Sequence, residues 1–141
     1  MDAIDEKLLL ALRENGRAST AQLARLVGRS RTSVQSRIER LEKQGVIVGF
    51  GVRLAPEHGQ GAVRAHVMIK VGPKEIRAVS SALRSISQVR VLHSVSGEVD
   101  LIAEAATASV AEMDEVIDRI GALDGVERTT SSIILSTKFE R

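Results

Sequence analysis

The chain has 141 residues, with 20 Lys or Arg, 18 Asp or Glu, two Phe, and no Cys, Trp or Tyr. At about 100–200 residues per domain, this allows one ordinary domain or two very small ones. The lack of Cys excludes disulfides, thiolate metal ligands and Cys nucleophiles, and it fits a reducing cytoplasm. Two aromatic residues argue against a base-stacking platform for single strands. No apolar run approaches the ~20 residues of a bilayer span. The first residues, Met1-Asp2-Ala3-Ile4-Asp5-Glu6, are acidic where a signal peptide would be basic. The expectation is a cytoplasmic protein with no membrane partner.

The net charge of +2 hides an asymmetry. Residues 1–53 carry ten basic and six acidic groups, a balance of +4, whereas residues 54–141 carry ten and twelve, a balance of −2. The stretch 17–37 holds Arg17, Arg25, Arg29, Arg31 and Arg37 and no acid. An acid-free, Arg-rich stretch is the pattern of a phosphate-binding face, though a solvated surface could carry it too.

Ile4, Leu8, Ala11 and Leu12 recur with helical spacing, so the first element is a helix. Asp2 caps it and Asp5 adds negative charge to its first turn; Asn15-Gly16 ends it. Ser19-Thr20-Ala21-Gln22 is a capping box that opens a short second helix, with Leu23, Leu26 and Val27 facing inward and Gly28 at its end. Ser30 caps a third helix from about Arg31 to Gln44, in which Val34, Ile38 and Leu41 form the apolar stripe. Short helix, tight Gly turn, longer helix is the helix-turn-helix arrangement. Val46-Ile47-Val48, Phe50 and Val52 then read as a strand interrupted by Gly49 and Gly51, the expected wing. Ala55-Pro56-Glu57-His58-Gly59-Gln60-Gly61 reads as a turn-rich boundary.

Beyond it, Val63, Ala65, Val67, Ile69 and Val71 alternate with polar residues, as in a half-buried strand. Gly72-Pro73 leads to a helix marked by Ile76, Val79, Leu83 and Ile86. The runs Val89–Ser96 and Val99–Ala105 flank Gly97-Glu98 and should form a hairpin. A capping box at Ser109–Glu112 opens a second helix, and Val126–Lys138 reads as a last strand. The order βαββαβ predicts a ferredoxin-like antiparallel sheet with two helices on one face. The fold class is α+β: a winged helix-turn-helix domain over residues 1–53, a linker over 54–61, and a ferredoxin-like sandwich over 62–141.

On the third helix, the side opposite the buried stripe offers Arg31, Thr32, Ser33, Gln35, Ser36, Arg37 and Arg40, preceded by Arg29 and Ser30. Hydroxyls and helix N-terminal amides suit phosphate oxygens, while Gln and Arg reach base edges. A helix of about 20 Å at ~1.5 Å per residue fits a major groove. These nine residues are the candidate contacts with double-stranded DNA. Glu39 and Glu42 lie toward the other end and should leave the reading to the N-terminal half.

The same residues carry a family resemblance. Ile4-Asp5, Leu8-Leu9, Gly16-Arg17-Ala18-Ser19, Gln22-Leu23-Ala24, Val27-Gly28-Arg29-Ser30, Arg37-Ile38, Arg40-Leu41 and Gly45-Val46-Ile47 resemble the N-terminal domain of the Lrp/AsnC family of transcription regulators. Ser96-Gly97-Glu98-Val99-Asp100-Leu101 resembles that family's Gly-x-x-Asp hairpin turn. Gly125-Val126 and Thr129-Thr130-Ser131-Ser132 resemble its last strand. The resemblance spans nearly the whole chain in the same order. It implies a sandwich of the dimeric α/β-barrel type, a homodimer assembling to tetramers or octamers, and an amino-acid effector bound between dimers. Gly97, Glu98, Val99 and Asp100 would form that effector site, joined by Thr130 and Ser132. The chain departs from the family in one respect: Val99 stands where an aromatic residue, commonly Tyr, precedes the Asp. The alternative is a DNA-organising protein of the same fold that needs no effector.

Nothing points to an enzyme. His58, His66 and His93 lack ligand spacing, and no nucleophile elbow or phosphate loop is present. His66 is expected on the polar face of its strand. His93, inside an apolar run, is expected to be buried. No cofactor or metal is expected.

Overall fold

In the computed structural model, residues 1–55, 58 and 63–139 are described, and the chain divides into two compact units, Met1–Arg53 and Leu54–Arg141. Most of the expected linker at 54–61, and residue 62 at the start of the second domain, lie outside the described residues.

The first unit holds three helices: α1 (Ala3–Glu14), α2 (Thr20–Val27) and α3 (Arg31–Lys43). Each start is fixed by a side-chain cap. Asp2 accepts from the Ile4 and Asp5 amides, and the Asp5 side chain accepts from the Asp2 amide. Ser19 and Gln22 form a capping box, and Ser30 accepts from the Ser33 amide. Such caps satisfy amides that the helix itself leaves unpaired. Gly28 ends α2 in a left-handed conformation, φ 64° and ψ 43°, which a side chain would resist. The core of the unit is small: Leu8, Leu23, Ala24 and Val34 are buried, with Ile4, Leu12, Val27 and Ile38 packed around them.

The expected wing strand does not form. After α3, the Val46 and Ile47 amides both donate to the Leu41 carbonyl. Residues 48–55 are neither helix nor strand. A strand exists only through a ladder partner, and no described residue supplies one. Its apolar side chains stay in solvent, Val48 at 94% and Val52 at 85% exposure.

The second unit contains β1 (Val63–Val71), α4 (Ile76–Arg84), β2 (Val89–Ser94), β3 (Leu101–Thr107), α5 (Val110–Gly121) and β4 (Val126–Ile133). The sheet order is β2-β3-β1-β4, with every neighbouring pair antiparallel. Ala65, Val67, Ile69 and Val71 of β1 and Leu101, Ala103 and Ala105 of β3 face the helices. There they pack on Val79 and Leu83 of α4 and Met113, Val116 and Ile120 of α5. The alternate residues of β1 and β3 form the opposite face, as a period of two requires. β4 ends five residues earlier than the sequence suggests, although the Ile134 amide still donates to the Arg64 carbonyl. Among the described residues, no helix is long and apolar enough to cross a membrane.

Candidate nucleic-acid interface and effector hairpin

α2, the Gly28 turn and the start of α3 border a shallow, open depression of about 560 Å³, lined by Ala21, Ala24, Arg25, Arg29, Ser30 and Arg31. Its charge is wholly basic. The small Ala21 and Ala24 keep it open, and Ser30 and Arg31 line it from the start of α3. Arg29 Nη1 donates to the Gly28 carbonyl at 3.1 Å. The Arg25 and Arg31 side chains have no hydrogen-bond or ion-pair partner among the described residues. Arg25 was not singled out as a contact by sequence reasoning, although it lies in the same acid-free stretch.

The nine candidate contacts separate into three groups. Arg29, Arg31 and Thr32 are exposed at or just before the α3 N-terminus and Ser36 is exposed in its second turn, in position to meet a ligand. Ser30, Ser33 and Gln35 already hold local bonds. Ser30 Oγ caps Ser33 at 3.1 Å, and Ser33 is half-buried. Gln35 Nε2 donates to Glu39 at 2.8 Å while its Oε1 accepts from Thr20 Oγ1 at 3.5 Å.

Arg37 and Arg40 form the third group: Arg37 is half-buried and Arg40 exposed, and both are paired with acids at the start of α1. Arg37 Nη1 donates to Asp2 Oδ2 at 2.7 Å and to Asp5 Oδ1 at 2.8 Å. Arg40 Nη2 donates to both carboxylate oxygens of Asp5, at 2.9 and 2.8 Å. The cause is the position of Asp5, only 1% exposed, on the inward side of α1. A buried carboxylate is costly unless it is paired and fully hydrogen-bonded. Arg37 and Arg40, three residues apart on one side of α3, supply that pairing. Asp5 titrates below the usual carboxylate range, chiefly because the Asp2 amide donates to it; burial works the other way. The Asp2 carboxyl is lowered to about 2, first by the Asp5 amide and then by Arg37. The Arg37 guanidinium is correspondingly held more firmly protonated. Sequence reasoning read Asp2 and Asp5 only as a helix cap. The missed signal was an acid between Ile4 and Leu8 on the apolar side of α1, matched by an i, i+3 pair of Arg.

In the second unit, the hairpin residues of the candidate effector site lie together at the start of β3. Gly97 has φ 120°, so the turn there requires glycine. Asp100 is half-buried and fully integrated. Its amide donates to the Ile69 carbonyl, its carbonyl accepts from the Val95 amide, and its Oδ2 accepts from the Val71 amide at 3.0 Å. The last bond lies where the β1–β4 register shifts, between Lys70 and Val71. Asp100 thus closes a ladder irregularity as well as the hairpin. Lys70 Nζ donates to the Glu98 carbonyl at 3.4 Å.

Thr130 and Ser132 are exposed on β4, opposite Met68 and His66, with β1 between them and β3. One chain therefore does not bring them beside Gly97–Asp100. Ser132 shares a row with His66 and Glu104 instead. Glu104 Oε1 lies 3.7 Å from His66 Nε2 and 3.5 Å from His93 Nε2. His93 is exposed, against the buried expectation, because it alternates with Leu92 and falls on the helix-free face. Among the described residues no group of three or more side chains is arranged to hold a metal ion.

Comparison with known proteins covers both units. Residues 1–42 match the AsnC-type helix-turn-helix domain, and residues 64–141 match the Lrp/AsnC ligand binding domain. The chain is 35% identical over 140 residues to the HTH-type transcriptional regulator LrpA of Mycobacterium tuberculosis, covering 99% of this chain and 93% of that protein. It is also similar to the structure of the feast or famine regulatory protein of M. tuberculosis complexed with L-methionine. That match has 34% identity and a TM-score of 0.89, covering 99% of this chain and 95% of the other. A transcriptional regulator of Neisseria meningitidis, also in complex with L-Met, superposes with a TM-score of 0.89 at 25% identity, over 99% and 93% of the two chains.

Proposed function

The chain belongs to the Lrp/AsnC family of DNA-binding transcription regulators, which are not enzymes, and from that premise we propose a sequence-specific, effector-responsive regulator that works as a homo-oligomer in the cytoplasm. The first unit, residues 1–53, reads duplex DNA. The second, residues 62–141, assembles the protein and takes a small molecule, with 54–61 connecting them.

The observation that carries this reading is the basic concave surface of α2, the Gly28 turn and the α3 N-terminus. Arg25, Arg29 and Arg31 neutralise phosphates there, and α3 presents Ser30, Thr32, Ser33, Gln35 and Ser36 to the groove. Arg37 and Arg40 act from behind this surface and not on it. One such unit binds weakly, so two must act together on half-sites about 34 Å apart. The helix-free face of the sheet supports a two-fold pairing. It presents Met68 and Ile102, both half-buried, and Val91, 40% exposed. No described residue of the second unit covers this face. A second copy would cover it symmetrically, and further pairing of dimers would give tetramers or octamers.

For the effector we propose an amino acid at the Gly97-Glu98-Val99-Asp100 hairpin, with L-methionine, the ligand of two similar proteins, as the first to test. The free Gly97 turn suits a carboxylate. Asp100 keeps one carboxylate oxygen for an ammonium group, since Oδ2 alone holds the Val71 amide. Thr130 and Ser132 would reach that ligand from a neighbouring subunit. Val99 leaves the pocket without a phenol. The commitment of Asp100 to β1 is also what an effector-independent, DNA-organising protein would show.

Two experiments separate these readings. Genomic fragments retained by the purified protein should share a near-palindromic sequence; retention without any common sequence favours the organising role. In the second, unfolding is followed with and without each amino acid. A ligand at 100 times its Kd raises stability by about 2.7 kcal/mol, and no shift with any amino acid contradicts the effector site.

A further inference from the structure

We propose that the Asp2–Asp5 pair is a positioning device for the DNA-reading helix, which fixes the roll of α3 and withholds Arg37 and Arg40 from the phosphate backbone, so raising the ratio of specific to non-specific binding. The proposal rests on the reading of α3 as the DNA-contacting element.

Asp5 is 1% exposed, yet it accepts from Arg37 Nη1, from Arg40 Nη2 and from the Asp2 amide. The bonds cross from the first turn of α1 to the middle and the last turn of α3, 32 and 35 residues away in sequence. At Arg40 one nitrogen, Nη2, is shared between both oxygens of the carboxylate, at 2.9 and 2.8 Å, and a charge-assisted bond adds orientation to attraction. Arg40 keeps a 47% exposed side chain, so its guanidinium is turned aside while lying within reach of solvent.

Packing alone leaves the roll of α3 loosely set, since Val34, Ile38 and Leu41 are a narrow apolar stripe of branched aliphatic side chains on a small core. Two guanidinium groups held on one buried carboxylate favour the rotation that keeps both bonds. That rotation points Thr32 and Ser36 outward, short side chains that read a groove only when held in register. Phosphate contacts carry affinity without sequence information. A free Arg37 and Arg40 would add the same attraction to every duplex. Pairing them inward leaves phosphate binding to Arg25, Arg29 and Arg31, and leaves discrimination to the N-terminal half of α3. The carboxylates that hold the pair titrate below their usual range, so the clamp stays closed at neutral pH.

The test measures binding of the full-length protein to a retained genomic duplex and to a scrambled duplex of equal length, over a range of salt concentrations. Asp5→Asn should steepen the salt dependence by up to about 0.9 in log–log slope for each guanidinium released. It should tighten binding to the scrambled duplex and lower the specific to non-specific ratio. Asp5→Asn with Arg40→Gln should return the slope by about 0.9 while remaining as unstable as the single variant, a reversal that loss of structure alone does not produce. Asp2→Asn guards against failure to fold, because Asp2 is exposed and its loss leaves Asp5 in place. It should shift slope and ratio in the same direction by a smaller amount. Unchanged slope and ratio in folded Asp5→Asn and Asp2→Asn overturn the clamp. If the wild type binds neither duplex at low salt, the DNA reading itself fails and the clamp falls with it.

Discussion

The two units of this chain are stabilised by different means. The sheet unit buries a continuous apolar core between one sheet face and two helices, in which Val67, Ile69, Leu83, Met113 and Ile120 are inaccessible. The helical unit has Leu8 and Val34 inaccessible beside Leu23 and Ala24, and its inner layer also contains an ionised carboxylate. Each fully buried Leu, Ile or Val contributes about 1.5–3 kcal/mol, so the sheet unit tolerates polar variation on its open face. The helical unit combines packing with capping and ion pairing. A unit that must present side chains to DNA in fixed register benefits from directional bonds, because apolar contacts are not directional.

The contrast can be tested by perturbing each unit in turn. Leu8→Ala should cost about 2–5 kcal/mol. In a unit this small the loss approaches the whole stability, so duplex binding should vanish while the transition of the sheet unit persists in thermal unfolding. Loss of both transitions together would show that the units are not independent. Acid gives the next effect. The Asp2 carboxyl is lowered to about 2 from an ordinary value of 3.8. A lowered carboxylate stabilises above the unfolded value and ceases to do so as pH falls through the folded one. Circular dichroism should therefore show helix loss between about pH 4 and pH 2, reduced in Asp2→Asn. Helix signal that is flat across that window contradicts the role of the acidic pair.

In the sheet unit, Asp100→Ala leaves the Val71 amide without its acceptor and should cost about 1–3 kcal/mol by urea unfolding. An unchanged midpoint would mean that water replaces the carboxylate freely. Ser30→Ala removes the α3 cap and should cost about 1 kcal/mol, with weaker duplex binding because the first turn of α3 frays. His93→Ala changes an exposed side chain that lies 3.5 Å from Glu104. The protomer should shift by no more than about 0.5 kcal/mol; a larger loss would place His93 inside a contact between copies.

Much of this architecture is written in local patterns. Period-two alternation from Val63 to Val71 determines β1 and its buried face. The hydroxyls Ser19, Ser30 and Ser109 mark helix starts, and Gly28 marks the turn. The wing strand does not form, and the ion pairs of Arg37 and Arg40 are not foreseen, for one shared reason. The segment Val46–Val52 has strand composition, but a ladder depends on a partner that composition does not supply. Arg37 and Arg40 have the composition of a DNA contact, but their direction depends on Asp5, more than thirty residues away. His93 adds a third instance, its apolar neighbours having suggested burial where alternation placed it outside. Pairings across the chain are tertiary facts, and a helical wheel drawn for α3 alone contains no trace of α1.

The most direct measurement of the account is the salt dependence of binding to a labelled duplex, for wild type and for Arg31→Gln. If the surface of α2, the Gly28 turn and the α3 N-terminus meets the phosphates, the wild type binds at low salt, and the variant loses about 0.9 from the log–log slope while keeping its thermal transition. A wild type that leaves duplex unbound at low salt, or a variant with the wild-type slope, contradicts it.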